Sequence, residues 1–284
     1  MTISQRLSTW LAEQGYGQIQ SNQAVRGGCI NHGTRISTTA GDSFFLKSNS
    51  KAPPDLFERE AEGLEALSKA RGPRIPKVFL TGHDFLLLED LKPGTPTKSF
   101  WPDFGRRMAI LHQTVNPRFG FVSDNYIGST RQPNPWIADG HEFFGQHRLL
   151  FQAKLAKDNK FILDKELKQT EAIIRRLPEL VPDQCASLLH GDLWYGNAIS
   201  DEKGEPAVID PAAYFGWAEA DLAMTALFGG FPTDFYAVYQ EERLLEPGWR
   251  ERFPIYNLYH LLNHLNLFGK SYRSQVSSIL NRFS

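Results

Sequence analysis

Hydrophobic and polar positions recur along this chain with two different periods, and the change from one to the other divides it. Ile3, Leu7, Trp10 and Leu11 share one helical face over residues 3–14, and Gly15 stops that helix. Residues 18–26 and 34–47 pattern as strands around the glycine-bearing turn Arg26-Gly27-Gly28-Cys29-Ile30-Asn31-His32-Gly33. Ser43-Phe44-Phe45-Leu46-Lys47 is an aromatic strand that ends in a lysine. A helix begins at Asp55, with Leu56, Phe57, Ala61, Leu64 and Leu67 as its stripe. Glu58 and Glu60 lie in or near its first turns, at the positive end of its dipole. Residues 75–81 and 84–89 predict two more strands joined by Gly82-His83. Lys92-Pro93-Gly94-Thr95-Pro96 then breaks regular structure. Beyond it helical spacing dominates, over 101–113, 142–156, 165–176, 218–228, 234–240 and 254–268, with short strands at 187–190, 197–200 and 206–210. The expected fold class is α+β: an N-lobe over 1–91 with an antiparallel sheet plus helix, and a larger, mainly helical C-lobe over 92–284. A cleft between two such lobes is where a ligand usually binds.

Length agrees, since 284 residues exceed one compact core. Hydrophobic residues at 41% and charged residues at 22% are ordinary for a soluble globular protein. With 31 basic against 32 acidic residues and no basic cluster, neither a nucleic acid nor a membrane is expected as a partner. Two cysteines, Cys29 and Cys185, make no disulfide framework and suit a reducing compartment. The N-terminus carries no apolar run of signal-peptide length, and no stretch approaches the roughly 18 apolar residues of a membrane span. The expectation is a cytoplasmic protein, monomeric or weakly dimeric.

The chemistry concentrates between residues 190 and 210. His190-Gly191-Asp192 follows the apolar Ser187-Leu188-Leu189, Asn197 comes five residues after Asp192, and Ala207-Val208-Ile209 delivers Asp210, with Pro211 preventing the strand from continuing. Phosphoryl transfer needs a base or positioner for the acceptor hydroxyl and cations against the phosphates, and little covalent help. Asp192 suits the first task as the candidate catalytic residue. Asn197 and Asp210 offer an amide oxygen and a carboxylate to Mg2+, which keeps several waters. The Asp-x-x-x-x-Asn spacing matches a kinase catalytic loop, with glycine in place of the usual arginine after the histidine. Asp192 and Asn197 could instead merely cap local backbone groups in a polar turn.

Three upstream features complete a site for ATP. Gly27 and Gly28, with Cys29 and Asn31 beside them, lie between two strands where backbone N–H groups can approach phosphates. Lys47 can hold the α- and β-phosphates, and Glu60 on the next helix can pair with it. A Gly-Gly pair also makes hairpin turns, and lysines at strand ends are commonly just solvated, so the order and joint presence carry the reading. The run Leu86-Leu87-Leu88-Glu89-Asp90-Leu91 leads into the interlobe boundary, where main-chain groups of Glu89 and Leu91 can meet adenine.

These residues resemble the fructosamine kinase family, the ketosamine 3-kinases, within the wider group having the aminoglycoside phosphotransferase and choline kinase fold. The resemblance covers nearly the whole chain. Its markers are Gly27-Gly28-Cys29-Ile30-Asn31, Phe57-Glu58-Arg59-Glu60, Phe119-Gly120-Phe121, Asp124-Asn125-Tyr126-Ile127-Gly128, Phe143-Phe144 and Arg148-Leu149. They continue through His190-Gly191-Asp192-Leu193-Trp194, Gly196-Asn197, Asp210-Pro211-Ala212 and Glu219-Ala220-Asp221-Leu222-Ala223-Met224. The resemblance implies a two-lobed protein-kinase-like fold, ATP and Mg2+ as cofactors, and transfer of the γ-phosphate to a sugar hydroxyl, at the 3-position, of ketosamines such as fructosamine or ribulosamine adducts and glycated lysine. The phosphorylated adduct is unstable and releases the amine, which implies deglycation. One departure is Trp217-Ala218, where relatives carry a polar or basic pair; that segment is expected to face the acceptor.

Trp194 is placed near the acceptor, with Tyr195 as a second aromatic, and Tyr214, Trp217 and Asp221 are weaker substrate candidates. Asp221 has an alternative role, holding the catalytic loop as a buried carboxylate. His112 reads as a buried hydrogen-bonding residue and Cys185 as packing. Cys29 is a candidate redox-sensitive thiol. His260 and His264 share a helical face but lack a third metal ligand. Two alternatives remain open: a related phosphotransferase acting on an aminoglycoside, choline or homoserine, and a non-catalytic nucleotide-binding pseudokinase.

Overall fold

A computed structural model describes residues 2–25 and 31–284. The first helix, α1 (Ile3–Glu13), starts at Thr2, whose side chain and that of Gln5 form a reciprocal capping box. Strands β1 (Ile19–Val25), β2 (His32–Thr38) and β3 (Ser43–Ser48) follow, then α2 (Leu56–Lys69), β4 (Val78–Thr81) and β5 (Phe85–Glu89). All five strands form one antiparallel sheet in the order β1-β2-β3-β5-β4.

Period-two alternation explains how this sheet serves two helices at once. Phe44 and Leu46 of β3 and Phe85 and Leu87 of β5 pack with Leu7 and Leu11 of α1. Their neighbours Leu86 and Leu88 turn the other way and pack with Leu56, Phe57 and Leu64 of α2, with Phe45 against the same cluster. Burying side chains of this size contributes about 1.5–3 kcal/mol each. Both faces of β5 are covered, so it reads as an unbroken apolar run, Phe-Leu-Leu-Leu.

The chain leaves the sheet at Glu89 and enters α3 (Phe100–Leu111) after an extended stretch. That stretch packs along a hairpin of β10 (Ala198–Ser200) and β11 (Pro206–Val208), through Gly94 N to Asp201 O and Thr97 N to Gly204 O, both 3.1 Å. The helical part contains α4 (Gly140–Phe144), a π-helical turn over Gly145–Leu150, α5 (Phe151–Asp158), α6 (Asp164–Leu180), α7 (Ala218–Leu227), α8 (Thr233–Glu242) and α9 (Phe253–Phe268). Helix α9 is apolar nearly all round and runs through the core, where Leu258, Leu261, Leu262 and Leu265 are fully enclosed. Leu67 at the end of α2 belongs to this large core, whereas the clusters on the two faces of the sheet are separate from it.

The structure adds elements that the periodicity did not predict. Helix α10 (Arg273–Phe283) buries only Val276 and Leu280 and leaves no long stripe. Strands β6 (Val115–Asn116), β7 (Asn125–Ile127), β8 (Thr130–Gln132) and β12 (Tyr214–Gly216) are two or three residues long, too short for any period to register. Of these, β7 and β8 form a hairpin, while β12 and β6 flank β9 (Ala186–Leu189). Among the described residues no helix is long and apolar enough to cross a membrane.

Candidate active site

A cleft of about 750 Å³ opens between the sheet and the helical part. Lys47 reaches it because its neighbours on β3, Phe44 and Leu46, are committed to the α1 side, which turns Phe45 and Lys47 toward α2. Glu60 lies on that helix, and its carboxylate accepts from Lys47 Nζ at 2.6 Å. The same ammonium donates to Asp210 Oδ1 at 2.9 Å. Burial alone would lower the Lys47 pKa; the two carboxylates outweigh it and hold the ammonium above its ordinary range. Burial, reinforced by Asp210, pushes Glu60 upward against the pull of Lys47.

The 190–197 loop follows β9. Asp221, near the start of α7, accepts the amides of His190 and Gly191 at 2.7 and 2.9 Å, and His112 Nε2 lies 3.2 Å from the same carboxylate. Burial pushes Asp221 up, but these donors outweigh it and hold it below the ordinary aspartate value. Gly191 sits at φ +82°, and a Cβ there would lie 2.1 Å from the carbonyl oxygen of Ala212. The glycine in place of arginine is thus a requirement of close backbone approach.

Asp192 is half-buried and directed into the cleft. Desolvation, with Asp210 opposite, pushes its pKa up to about 7 from an ordinary 3.8, although Asn197 pulls the other way. Asn197 Nδ2 donates to the Asp192 main-chain oxygen at 2.9 Å and to its carboxylate at 3.2 Å. With the amide nitrogen engaged, its oxygen remains as an acceptor. Asp210 follows β11, has φ +58°, and keeps a side chain that is 42% exposed. Among the described residues no three His, Cys, Asp or Glu side chains gather to cage a metal. A cation between Asn197 and Asp210 would therefore need waters and phosphate oxygens as its other ligands, which suits Mg2+.

The cleft entrance at the end of β5 is lined by Glu89, Asp90 and Leu91. The Glu89 amide is bonded to Lys77 O at 2.8 Å, so of its main-chain groups the N–H is already engaged; Leu91 N–H has no partner among the described residues. The Asp90 carboxylate is spent on Arg35 at 2.6 and 3.1 Å and on Ser43 at 2.6 Å. Asn31 lines the cleft and accepts from Asn49 Nδ2 at 3.2 Å. Gly27, Gly28 and Cys29 lie outside the described residues.

The weaker substrate candidates divide. Trp194 lines the cleft, edge-on to Phe228 at 6.5 Å between ring centroids. Tyr195 instead faces Trp101 and Phe231. Tyr214 and Trp217 are buried and do not line the cleft. Pairing of β12 with β9 carries Tyr214 into the core beneath the Arg148 guanidinium, 4.0 Å from its ring centroid. Trp217 is buried among Phe119, Phe144 and Tyr256. Asp221 is likewise buried and supports the loop rather than lining the cleft. Glu219 is held by Arg252 at 2.6 and 2.7 Å. His112 is buried, its Nδ1 2.7 Å from Tyr239 Oη, whereas Cys185 is exposed and not a packing residue.

Sequence reasoning did not find the aromatic wall beside Trp194. It consists of Phe228, His264, Phe268 and Tyr272, with His264 4.8 Å from Phe228 and 5.1 Å from Tyr272. The one available signal was the i, i+4 pair His260 and His264, which was given no site role because it lacks a third metal ligand. In the structure His264 Nδ1 bonds to His260 O instead, at 2.8 Å.

An antiparallel sheet whose Lys47 pairs with Glu60 of α2, set over a helical body that presents Asp192, Asn197 and Asp210, defines the two-lobed protein-kinase-like fold. The family model for fructosamine kinase matches residues 2–284, and the chain belongs to that family. A protein of Synechocystis named as a probable ketoamine kinase is 39% identical over 99% of this chain and 95% of its own. A chloroplastic protein-ribulosamine 3-kinase of Arabidopsis thaliana is 38% identical over 96% of this chain and 86% of its own. A crystal structure from Thermobifida fusca, named provisionally as a fructosamine-3-kinase, superposes with a TM-score of 0.89 at 29% identity, covering 99% of this chain and 97% of the other.

Proposed function

We propose that this protein transfers the γ-phosphate of ATP to a sugar hydroxyl of a ketosamine, at the 3-position by family resemblance, in a deglycation reaction. The observation that carries this reading is the convergence of Lys47, Asp192, Asn197 and Asp210 on one cleft in a member of the fructosamine kinase family. Lys47 would hold phosphate oxygens, with Glu60, 2.6 Å away, fixing its direction. Asn197 and Asp210 would hold Mg2+, which supplies charge neutralisation on the phosphates. Asp192 accepts the hydroxyl proton as the sugar oxygen bonds to the γ-phosphorus and ADP departs. A carboxylate pushed up to about 7 is suited to exchanging that proton near neutral pH. The Leu91 amide, without a partner among the described residues, is a donor for adenine at the cleft entrance.

Trp194 and the wall of Phe228, His264, Phe268 and Tyr272 form the acceptor side. Their mix of apolar rings and few polar atoms suits a sugar carrying an alkyl amine. The deciding measurement is ATP consumption over a substrate panel with Mg2+. Fructosyl- or ribulosyl-lysine should stimulate turnover and yield a product heavier by one phosphoryl group. Turnover on an aminoglycoside, choline or homoserine with none on any ketosamine would overturn the assignment.

A further inference from the structure

Asp210 adopts φ +58°, a left-handed conformation that a non-glycine residue holds only when its surroundings impose it. Its flanks show what imposes it. On the upstream side the carbonyl of Ile209 lies 3.0 Å from His190 Nε2, and Ile209 N donates to Asn197 O at 3.1 Å. On the downstream side Ala212 N donates to His190 O at 2.9 Å. The next two carbonyls are taken by side chains from a distant hairpin: Gln132 Nε2 donates to Ala212 O at 3.1 Å, and Asn125 Nδ2 donates to Ala213 O at 2.8 Å.

Asn125 and Gln132 are cross-strand partners in the β7–β8 hairpin, and Gln132 Nε2 also donates to Asn125 Oδ1 at 2.7 Å. Both are almost fully buried, at 4% and 1% exposure. Asn134 Nδ2 donates to the same Asn125 oxygen at 2.9 Å, and Arg148 in turn holds the Asn134 oxygen at 2.6 Å. Tyr259 Oη donates to Gln132 Oε1 at 2.5 Å. Arg148 is wholly buried and bonds to Asn134 Oδ1 and the carbonyls of Pro133 and His147 rather than to a carboxylate. A neutral apolar hairpin would fill this space without desolvating so many polar groups, so the network has a cost that fold stability alone does not call for. The hairpin also touches the other end of the site, where Tyr126 Oη donates to Asp55 at the start of α2, the helix that carries Glu60.

We propose that Asn125 and Gln132 are positioning residues for Asp210. By fixing the carbonyls of Ala213 and Ala212 they hold the strained backbone at Asp210, and so set the distance between its carboxylate and Asn197 when metal and phosphates enter. This inference rests on the reading of Asp210 as a metal-binding carboxylate.

The test is the Mg2+ dependence of ketosamine phosphorylation, measured beside thermal stability for the wild type, Asn125→Ala, Gln132→Leu and Asn257→Ala. Asn257 is a matched control: it is buried and donates to a main-chain carbonyl, Ala223 O at 2.8 Å, without touching the Asp210 segment. Asn125→Ala and Gln132→Leu should each raise the half-activating Mg2+ concentration by about tenfold and lower kcat, with the acceptor KM changed less than about twofold. Asn257→Ala should lose stability with the half-activating concentration unmoved. Should either hairpin variant fail to fold, Asn125→Ser or Gln132→Asn, shorter polar residues, are read the same way. A wild type without Mg2+-dependent ketosamine turnover overturns the functional reading itself. A Mg2+-dependent wild type whose hairpin variants behave like Asn257→Ala overturns the positioning role.

Discussion

Lys47 Nζ lies 2.9 Å from the carboxylate of Asp210, a residue 163 positions further along the chain, and 2.6 Å from that of Glu60. One ammonium thus ties the sheet to α2 and to the segment after β11. Removing it leaves two carboxylates facing each other with nothing between them, and Glu60 is the more deeply enclosed at 11% exposure. Lys47→Met should therefore cut kcat/KM for ATP by at least about a hundredfold and lower stability by roughly 3 kcal/mol near neutral pH. Because a held-up lysine pKa stabilises the fold wherever the lysine is protonated, this loss should persist across the neutral range. On the acid side it should shrink as the carboxylates become protonated, as urea titrations at two pH values would show.

Asp192 predicts opposite signs for activity and stability. Turnover needs the ionised form, so kcat/KM should climb about tenfold per pH unit up to about 7 and then level off. The folded state, with the higher pKa, binds the proton more tightly than the unfolded chain. Its stabilising contribution is complete below about 3.8 and is lost as pH rises through about 7. Asp192→Asn should thus melt higher than the wild type at about pH 8 and gain nothing at about pH 4, while losing turnover by at least about a hundredfold with ATP binding retained. Asp210→Asn should weaken Mg·ATP binding as well. Near-normal turnover in Asp192→Asn would remove it from the role of base.

Gly191 has no tolerance for a side chain. Gly191→Ala must both enter the left-handed region and displace the Ala212 carbonyl that its Cβ would meet at 2.1 Å. The backbone term alone is about 1–2 kcal/mol, and the clash adds to it. The expected outcome is a lowered melting temperature with turnover all but abolished, measured together by calorimetry and ATP consumption.

Trp194 and Trp217 should separate cleanly. Trp194→Ala should raise the acceptor KM by about tenfold and leave the KM for ATP within about twofold. Trp217→Phe should cost roughly 1–3 kcal/mol of stability through lost packing and leave both KM values unchanged. An acceptor KM that moved with Trp217 and not with Trp194 would restore the expectation drawn from the family departure.

Asp221 behaves as the anchor of the 190–197 loop. Its lowered pKa means that its stabilising contribution is present above the ordinary aspartate range and disappears as acid protonates it. Asp221→Ala should lose stability and turnover together near pH 7, and the stability gap from the wild type should close on acidification.

Much of the site was legible because its parts are local. A strand-end lysine, a glutamate one turn into a helix and an Asp-x-x-x-x-Asn loop are each defined by neighbours a few residues away. The buried-carboxylate role of Asp221 was also readable, as one of two alternatives. Tyr214 and Trp217 were misplaced because nearness to Asp210 along the chain was taken for nearness in space; β12 pairs with β9 and turns Tyr214 inward, and Trp217 packs among Phe119, Phe144 and Tyr256. That Lys77 already takes the Glu89 amide was not legible, because a strand end does not reveal the partners of its main-chain groups.

By itself the sequence determined the two-part layout, the helices with clear stripes and the residue types available to phosphates, metal and hydroxyl. Those depend on backbone periodicity and on loop chemistry within short windows. Only the tertiary structure decided which aromatics face the cleft, and that Asn125 and Gln132 reach the carbonyls beyond Asp210. Phe228, His264 and Tyr272 come from separate elements that meet through helix packing, and no local pattern encodes that meeting.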